Sequence, residues 1–441
     1  MRFQTLAEWL AWQEQLHPAE IELGLERVAA VYQRLQPAKR PPKVITVGGT
    51  NGKGSSVALL TAIYQAAGYR VGCYTSPHLL RYTERICING VEVEEQILCA
   101  AFDRVDQARG ATSLTYFEFG TLAALDIFNR TDLDVVILEV GMGGRLDAVN
   151  IIDPDVALIT NVALDHQDWL GEDREQIAFE KAGILRGQRP AVFGEADMPQ
   201  RLAGVVEEKA VDLRCFGRDF GYERSGGQWR WWSAARQREA LPLPALRGEF
   251  QLQNAAAVLM VLELMQERLP VSQQSIREGL LQVKVAGRFQ VFPGQVQQIV
   301  DVAHNPHAAA TLARNLRDTE CLGRTLAVMG MMRDKDIAEV IRLMAEEIDA
   351  WFVGGLALPR AATGAELRAA FDQAGIDAAV VQVYPEITQA YRQALEQARP
   401  ADRLVIFGSF YVVAAVLPVL VTNVAKLPEV SGWNTIQSNS D

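Results

Sequence analysis

Cysteine and histidine are scarce in this chain of 441 residues, at five each. Cys73, Cys87, Cys99, Cys215 and Cys321 are odd in number and scattered, so they match neither a zinc-ligand spacing nor a disulfide framework. A reducing, cytoplasmic setting is the expectation. No apolar run reaches the roughly 18 residues of a membrane span. The longest near the end, residues 412–421, is broken by Pro418. The opening Met1-Arg2-Phe3-Gln4-Thr5 leads into an amphipathic helix carrying charges, which is unlike a secretory signal. Lysine and arginine form no basic cluster and the net charge is −11, so no nucleic-acid partner is expected. Anionic substrates would have to be held by local loops against the overall field. Internal repeats and low-complexity tracts are missing too, and only residues 426–441 read as a polar tail.

What is present is an ordinary globular composition, 49 % hydrophobic and 22 % charged, long enough for two or three domains. The most informative stretch is Val47-Gly48-Gly49-Thr50-Asn51-Gly52-Lys53-Gly54-Ser55-Ser56. A β-branched run precedes it, which predicts a buried strand, and an apolar stretch at helical spacing follows it. A glycine-dense turn between strand and helix lets backbone N–H groups converge on an anion at the helix N-terminus. Lys53 adds a mobile positive charge, and Ser55 or Ser56 offers a hydroxyl to a metal ion. This is the chemistry of nucleotide triphosphate binding. The usual pattern, G-x-x-x-x-G-K followed by serine or threonine, is met imperfectly, because Val47 replaces the first glycine and Gly54 follows the lysine.

The rest of the chain alternates strands and helices. Residues 5–16 and 20–35 read as helices, and 69–75 as a second strand of a parallel, right-handed β-α-β unit. That strand runs into Ser76 and His78, where ligands of open α/β sheets sit; a turn capped by serine and proline is the structural alternative. Residues 133–140 are the clearest buried strand, and Glu139 ends it. A carboxylate there is costly unless paired or metal-bound. Beside a phosphate loop Mg²⁺ is the natural partner, with a salt bridge to Arg145 as the alternative. His166 follows the strand 156–161. Lys181 lies in the last turn of a helix at 172–182, where spacing alone favours a surface lysine complementing the helix dipole. Gly226-Gly227 among Trp229, Trp231 and Trp232 predicts a hairpin whose tryptophans pack rather than stack on bases. Asn254, near the start of a helix over 251–269, is either its cap or an amide that reads a nucleotide base. After a break near 286–290, strands and helices alternate again through residues 297–408. Asp301, His304 and Asn305 end the first strand of this second domain, and Ser409 follows its last.

Gly49-Thr50-Asn51-Gly52-Lys53-Gly54-Ser55, Ser76-Pro77-His78, Glu139-Val140-Gly141-Met142-Gly143-Gly144-Arg145-Leu146-Asp147, Asp165-His166, Glu180-Lys181-Ala182-Gly183-Ile184, Gly287-Arg288-Phe289 and Asp301-Val302-Ala303-His304-Asn305-Pro306 together resemble the folylpolyglutamate synthases of the Mur-ligase superfamily. The bacterial type that is also a dihydrofolate synthase is the most similar. The resemblance covers the whole chain except the tail, and the glycine after Lys53 is the family's own form. It implies an α/β fold: a P-loop-type ATPase domain with a mostly parallel sheet at 1–288, a hinge at 289–296, and a smaller Rossmann-like α/β domain at 297–425. It implies ATP and Mg²⁺, two ions, as cofactors, with dihydropteroate, tetrahydrofolate and L-glutamate as substrates of a monomer. Thr50, Asn51, Gly52, Lys53, Gly54 and Ser55 would hold the ATP phosphates. Ser76, Glu139 and His166 would ligate metal, and Lys181 would be carbamylated to help hold a second ion, reversing the reading from spacing. Lys53, Glu139, His166 and Lys181 are thus the expected catalytic set. Asn254, Arg288 and Asp301, with His304 beside them, match ATP-contacting positions. Glu22, Leu23, Gly24 and Leu25, then Thr115, Tyr116, Phe117 and Glu118, and Leu146, Asp147 and Ala148, match the pterin-binding surface. Ser409 matches a position facing the incoming glutamate. The domains are expected to close over the nucleotide at the hinge and exclude water.

Overall fold

The computed structural model describes residues 1–35 and 42–425, so the expected tail at 426–441 lies outside the described residues. The chain divides into two compact units, Met1–Ala286 and Gly287–Asp441.

The first unit is built on eight strands: β1 (Lys43–Gly48), β2 (Val71–Tyr74), β3 (Ile86–Ile88), β4 (Val91–Glu92), β5 (Val135–Glu139), β6 (Val156–Ile159), β7 (Pro190–Phe193) and β8 (Asp212–Cys215). Their order across the sheet is β4-β3-β2-β5-β1-β6-β7-β8. All pairs are parallel except β2–β3 and β3–β4. The expected β-α-β unit is parallel, but β5 is inserted between β1 and β2. Because side chains alternate across a strand, the continuous apolar runs of β1 and β5 feed two cores. Ile45, Val47, Val135 and Ile137 meet the helices Lys53–Ala66, Glu249–Leu264 and Gln273–Gln282. Val44, Val136 and Leu138 meet Glu95–Arg109 and Tyr116–Arg130, backed by Trp9, Val28 and Val31.

Helix does not extend over residues 20–35; it covers only Glu26–Arg34. Gly24 disfavours helix by about 1 kcal/mol, and side-chain bonds tie the stretch before it to other elements. His17 bonds Ser113 Oγ at 2.7 Å and Glu22 Oε2 at 2.7 Å, while Arg27 pairs with Glu22. The hairpin at Gly226-Gly227 forms as expected, joining β9 (Phe220–Ser225) to β10 (Gln228–Ser233), and β11 (Gln237–Pro242) completes a small antiparallel sheet. Trp229 and Trp231 are buried and donate their ring N–H to Pro242 O and Ala256 O, which confirms packing.

Asp126 fastens the helix Tyr116–Arg130 to its neighbour. Its buried carboxylate accepts Arg104 Nε at 2.7 Å and Arg130 Nε at 2.9 Å. Both arginines are partly exposed and can return to water, so Asp126→Ala should cost about 1–3 kcal/mol rather than the larger toll of stranding a buried charge. A lower urea midpoint with unchanged KM for every substrate is the expected measurement.

The second unit carries β12 (Gln290–Phe292), β13 (Gln297–Val300), β14 (Thr325–Met329), β15 (Ala350–Gly354), β16 (Val381–Tyr384) and β17 (Arg403–Phe407), ordered β12-β13-β17-β14-β15-β16 and parallel except for β12. Helices Pro306–Arg317, Ile337–Met344 and Gly364–Ala374 share one core with the sheet. The segment expected to be a hinge at 289–296 carries the short strand β12 and then a loop. Residues 290–292 add antiparallel to β13, and Val302 N donates to Gly287 O at 2.9 Å, so the unit begins at Gly287 and includes Arg288. All five cysteines are free. Among the described residues no helix is long and apolar enough to cross a membrane.

Candidate active site

The turn after β1 is shaped by contacts from the end of the neighbouring strand β6 and from the helix Glu249–Leu264. Gly49 has φ +136°, and a Cβ there would lie 1.9 Å from Thr160 Oγ1. Gly52, at φ +83°, opens the helix Lys53–Ala66, and a Cβ there would lie 2.6 Å from Asn254 Oδ1. The loop is held by the polar end of β6: Thr50 N donates to Asn161 O at 3.0 Å, Asn51 N to Asn161 Oδ1 at 2.9 Å, and Thr160 Oγ1 to Asn51 O at 2.6 Å. Thr50 Oγ1 bonds Ala163 O and Ala163 N. With its backbone so fixed, the loop leaves the first N–H groups of the helix aimed outward, which is an anion cradle. Gly49→Ala should cost about 1–3 kcal/mol through left-handed strain and steric overlap. Calorimetry should show it as a lower thermal midpoint together with weaker ADP binding.

Thr160 and Asn161 were not singled out from the sequence, although two polar residues closing an apolar strand are the signal that marks them. Ser55 is buried and accepts Gln251 Nε2 at 3.2 Å, while Asn254 Nδ2 donates to Gln251 Oε1 at 3.1 Å. Asn254 therefore does not cap its helix. The helix begins at Glu249 after Gly248, and Asn254 lies in its second turn, turned toward the loop.

Two ammonium groups meet on one carbonyl. Lys53 Nζ donates to Gly49 O at 3.1 Å and Thr50 O at 3.0 Å, and Lys181 Nζ donates to Gly49 O at 3.0 Å. Lys181 is 3 % exposed, so the surface-lysine reading is wrong: the helix Arg174–Ala182 turns this residue inward against β1's loop. Burial, then the neighbouring Lys53 charge, bring its pKa down to about 7.

Glu139 sits at the carboxyl end of β5, in register with Val47 of β1 and buried. Its Oε2 accepts Ser76 N at 3.2 Å, so the ends of β2 and β5 meet beside the loop. Arg145 is not its partner, for it binds Glu180 at 2.9 Å. His166 holds a left-handed φ of 52° ahead of a short helix and lies 4.0 Å from Asp165 through Nε2. Among the described residues no cluster of three His, Cys, Asp or Glu side chains forms a preset metal cage. The oxygen donors here, a buried carboxylate beside a serine, suit a hard cation that completes its shell with water and phosphate oxygens.

His78 accepts Arg85 Nε at its Nδ1 at 2.9 Å, and burial with the Arg85 charge lowers its pKa to about 4. It is neutral at pH 7.

The three segments assigned to a pterin surface gather around the N-terminus of Tyr116–Arg130. Thr115 and Glu118 form a capping box, with Thr115 N on Glu118 Oε2 at 2.8 Å and Glu118 N on Thr115 Oγ1 at 3.2 Å. The other Glu118 oxygen accepts Arg27 at 3.1 Å, which ties in the loop carrying Glu22, Leu23, Gly24 and Leu25. The Phe117 ring lies over Gly141 and 6.1 Å from that of Tyr74. Asp147, next to Leu146 and Ala148, is buried and accepts Met142 N and Val149 N; burial raises its pKa to about 6 despite these bonds.

In the second unit, Asp301 ends β13 and accepts Phe289 N at 2.7 Å and Ala303 N at 2.8 Å, with burial pushing its pKa up and Arg288 pulling it down. Arg288 lies 5.1 Å over the Phe410 ring, and His304 Nδ1 bonds Val302 O at 2.8 Å. Ser409 is buried, its hydroxyl accepting Val412 N at 3.1 Å. These residues share the carboxyl ends of β13 and β17.

Residues 47–262 match the Mur ligase middle domain, and residues 287–410 match the Mur ligase glutamate ligase domain. The dihydrofolate synthase/folylpolyglutamate synthase of Escherichia coli K12 is 45% identical over 415 residues, 94% of this chain and 95% of its own length. That of Haemophilus influenzae is 39% identical, over 93% and 96%. Among solved structures, Escherichia coli FolC in complex with DHPP and ADP superposes with a TM-score of 0.90 at 44% identity, covering 95% of this chain and 98% of that one. A bifunctional folylpolyglutamate synthase/dihydrofolate synthase with Mn, AMPPNP and L-glutamate bound gives 0.88 at 46%, with the same coverage.

Proposed function

The chain belongs to the Mur ligase family, within its dihydrofolate synthase/folylpolyglutamate synthases, and from that membership we propose how its own residues perform the reaction. It is an ATP-dependent ligase that joins L-glutamate to dihydropteroate, giving dihydrofolate, and to tetrahydrofolates, giving polyglutamates. The acceptor carboxylate takes the γ-phosphoryl group of ATP, the amine of glutamate attacks the acyl phosphate, and phosphate leaves.

Thr50, Asn51, Gly52, Lys53, Gly54 and Ser55 cradle the phosphates with the first N–H groups of their helix, and Lys53 leaves the Gly49 and Thr50 carbonyls to neutralise them. Ser76, Glu139 and His166 would hold Mg²⁺, and Lys181, as a carbamate, would help hold a second ion. A cation bound there offsets the charge that builds on the transferring phosphoryl group. Asn254, Arg288, Asp301 and His304 are the residues assigned to further ATP contacts. The segments of Glu22, Thr115 and Leu146 bind the pterin, and Ser409 faces glutamate. The setting is a cytoplasmic monomer acting on small molecules, in keeping with five free cysteines.

One observation carries this reading: the ends of β1, β2, β5 and β6 bring a phosphate cradle, two lysines and a buried carboxylate together at the carboxyl end of the sheet. The test is incubation with dihydropteroate, ATP and Mg²⁺, with and without L-glutamate. Dihydrofolate and ADP formed in equal amounts, and only with glutamate, are expected. ADP release at full rate without glutamate would favour a nucleotide-switched ATPase. Extension of tetrahydrofolate without any dihydrofolate formation would leave only the second activity.

A further inference from the structure

Arg85 is a buried cation that the reaction as described does not use. It follows β2's return loop, is only 8 % exposed, and donates Nε to His78 Nδ1 at 2.9 Å. Its guanidinium lies 5.1 Å over the Tyr82 ring and 5.7 Å over the Tyr116 ring. Ring faces ease the burial of the charge but accept few of its five N–H donors. The phenol oxygens of Tyr82, Tyr74 and Tyr116 surround it, with that of Tyr74 within reach of its N–H groups, and among the described residues no carboxylate pairs with it. The neighbouring Glu84 is engaged elsewhere, accepting the backbone N–H groups of Leu79, Leu80 and Arg81. A buried arginine without an anion is costly unless an anion is supplied from outside.

Its place in the fold says which anion. Arg85 O accepts Thr75 N at 2.9 Å, the residue before Ser76, whose own N–H is on Glu139 Oε2. On its other side Tyr116 belongs to the segment assigned to the pterin. Arg85 thus stands between the pterin segment and the carboxylate beside the phosphate loop, where an acceptor's reacting carboxylate must lie. We propose that Arg85 binds that carboxylate through the in-plane edge of its guanidinium, between Tyr82 and Tyr116, and positions it for phosphorylation. Two parallel N–H···O bonds would fix its orientation, as a lysine could not. The proposal rests on the acceptor reading above.

The test compares equilibrium binding of 7,8-dihydropteroate with that of the same pterin carrying aniline in place of the aminobenzoate, on the full-length enzyme with ADP and Mg²⁺. The unaltered protein should prefer the carboxylate by roughly 10- to 100-fold, the scale of a charge-assisted hydrogen-bond pair. Arg85→Ala should bring the two affinities together by weakening dihydropteroate alone, and Arg85→Lys should keep part of the preference. Equal weakening of both ligands by Arg85→Ala would mark a purely structural residue and overturn the proposal, as would an unchanged preference. If circular dichroism shows that the alanine variant does not fold, Arg85→Gln decides: a folded glutamine variant must lose the preference. An unaltered enzyme that binds neither pterin would instead overturn the acceptor reading itself.

Discussion

Glu139→Gln is expected to lower kcat for ligation by about 10²–10³-fold, the scale of losing one preorganised electrostatic contact at a transferring phosphoryl group. The substitution keeps the shape of the side chain and an oxygen for Ser76 N–H, which the carboxylate now accepts at 3.2 Å. It removes only the negative charge, which at the end of a fully buried strand has value chiefly as a ligand for a cation. Thermal melting should therefore shift by no more than a few degrees while ADP formation collapses. Raising Mg²⁺ should recover little, because the missing donor cannot be replaced by mass action alone. Full activity at saturating Mg²⁺ would remove Glu139 from the metal site.

Lys181→Ala should fall off comparably, and for a reason that can be separated from loop packing. As a free amine Lys181 donates to Gly49 O, so its loss could loosen the phosphate cradle and raise the KM for ATP. As a carbamate it would present two oxygens toward a cation, and a small carboxylate such as acetate should then restore part of kcat without changing that KM. The depressed pKa bears on how the modification forms. Carbon dioxide reacts with the neutral amine, and this amine titrates at about 7 rather than at the usual 10.5. The neutral fraction therefore rises from about a tenth at pH 6 to about nine-tenths at pH 8, whereas an ordinary lysine is almost wholly protonated at both. Enzyme stripped of carbon dioxide should regain activity on adding bicarbonate far more completely at pH 8 than at pH 6. A ¹³C carbamate resonance should appear in parallel. No rescue by acetate and no such resonance would return Lys181 to a packing role.

The two residues differ in how they could be read beforehand. Glu139 declares itself, because a charge closing the run Val135–Glu139 contradicts its surroundings. Lys181 does not. At the end of an amphipathic helix a lysine is ordinarily solvated, and only the seating of the helix Arg174–Ala182 beside β1 removes it from water. Asn254 is similar: cap or contact depends on where its helix begins, and that was decided by Gly248 and by packing against the loop at Gly52. The family resemblance marks Glu118 only as a substrate contact, yet its two oxygens serve a capping box and Arg27, a residue 91 positions away in the chain. The spacing from Thr115 to Glu118 contains the capping box; nothing local contains the arginine.

By itself the sequence determined the alternation of strands and helices, the phosphate loop, the carboxylate at the end of β5 and the hairpin of tryptophans. Each of these follows from side-chain periodicity or turn chemistry within a few neighbouring residues. Only the tertiary structure decided that β5 enters between β1 and β2, that Lys53 and Lys181 share the Gly49 carbonyl, and that Arg85 is buried among tyrosines with no carboxylate partner among the described residues. Desolvation and polar pairing are set by groups far apart in the chain, such as Lys181 and Gly49 at 132 positions, which meet only when the sheet is assembled.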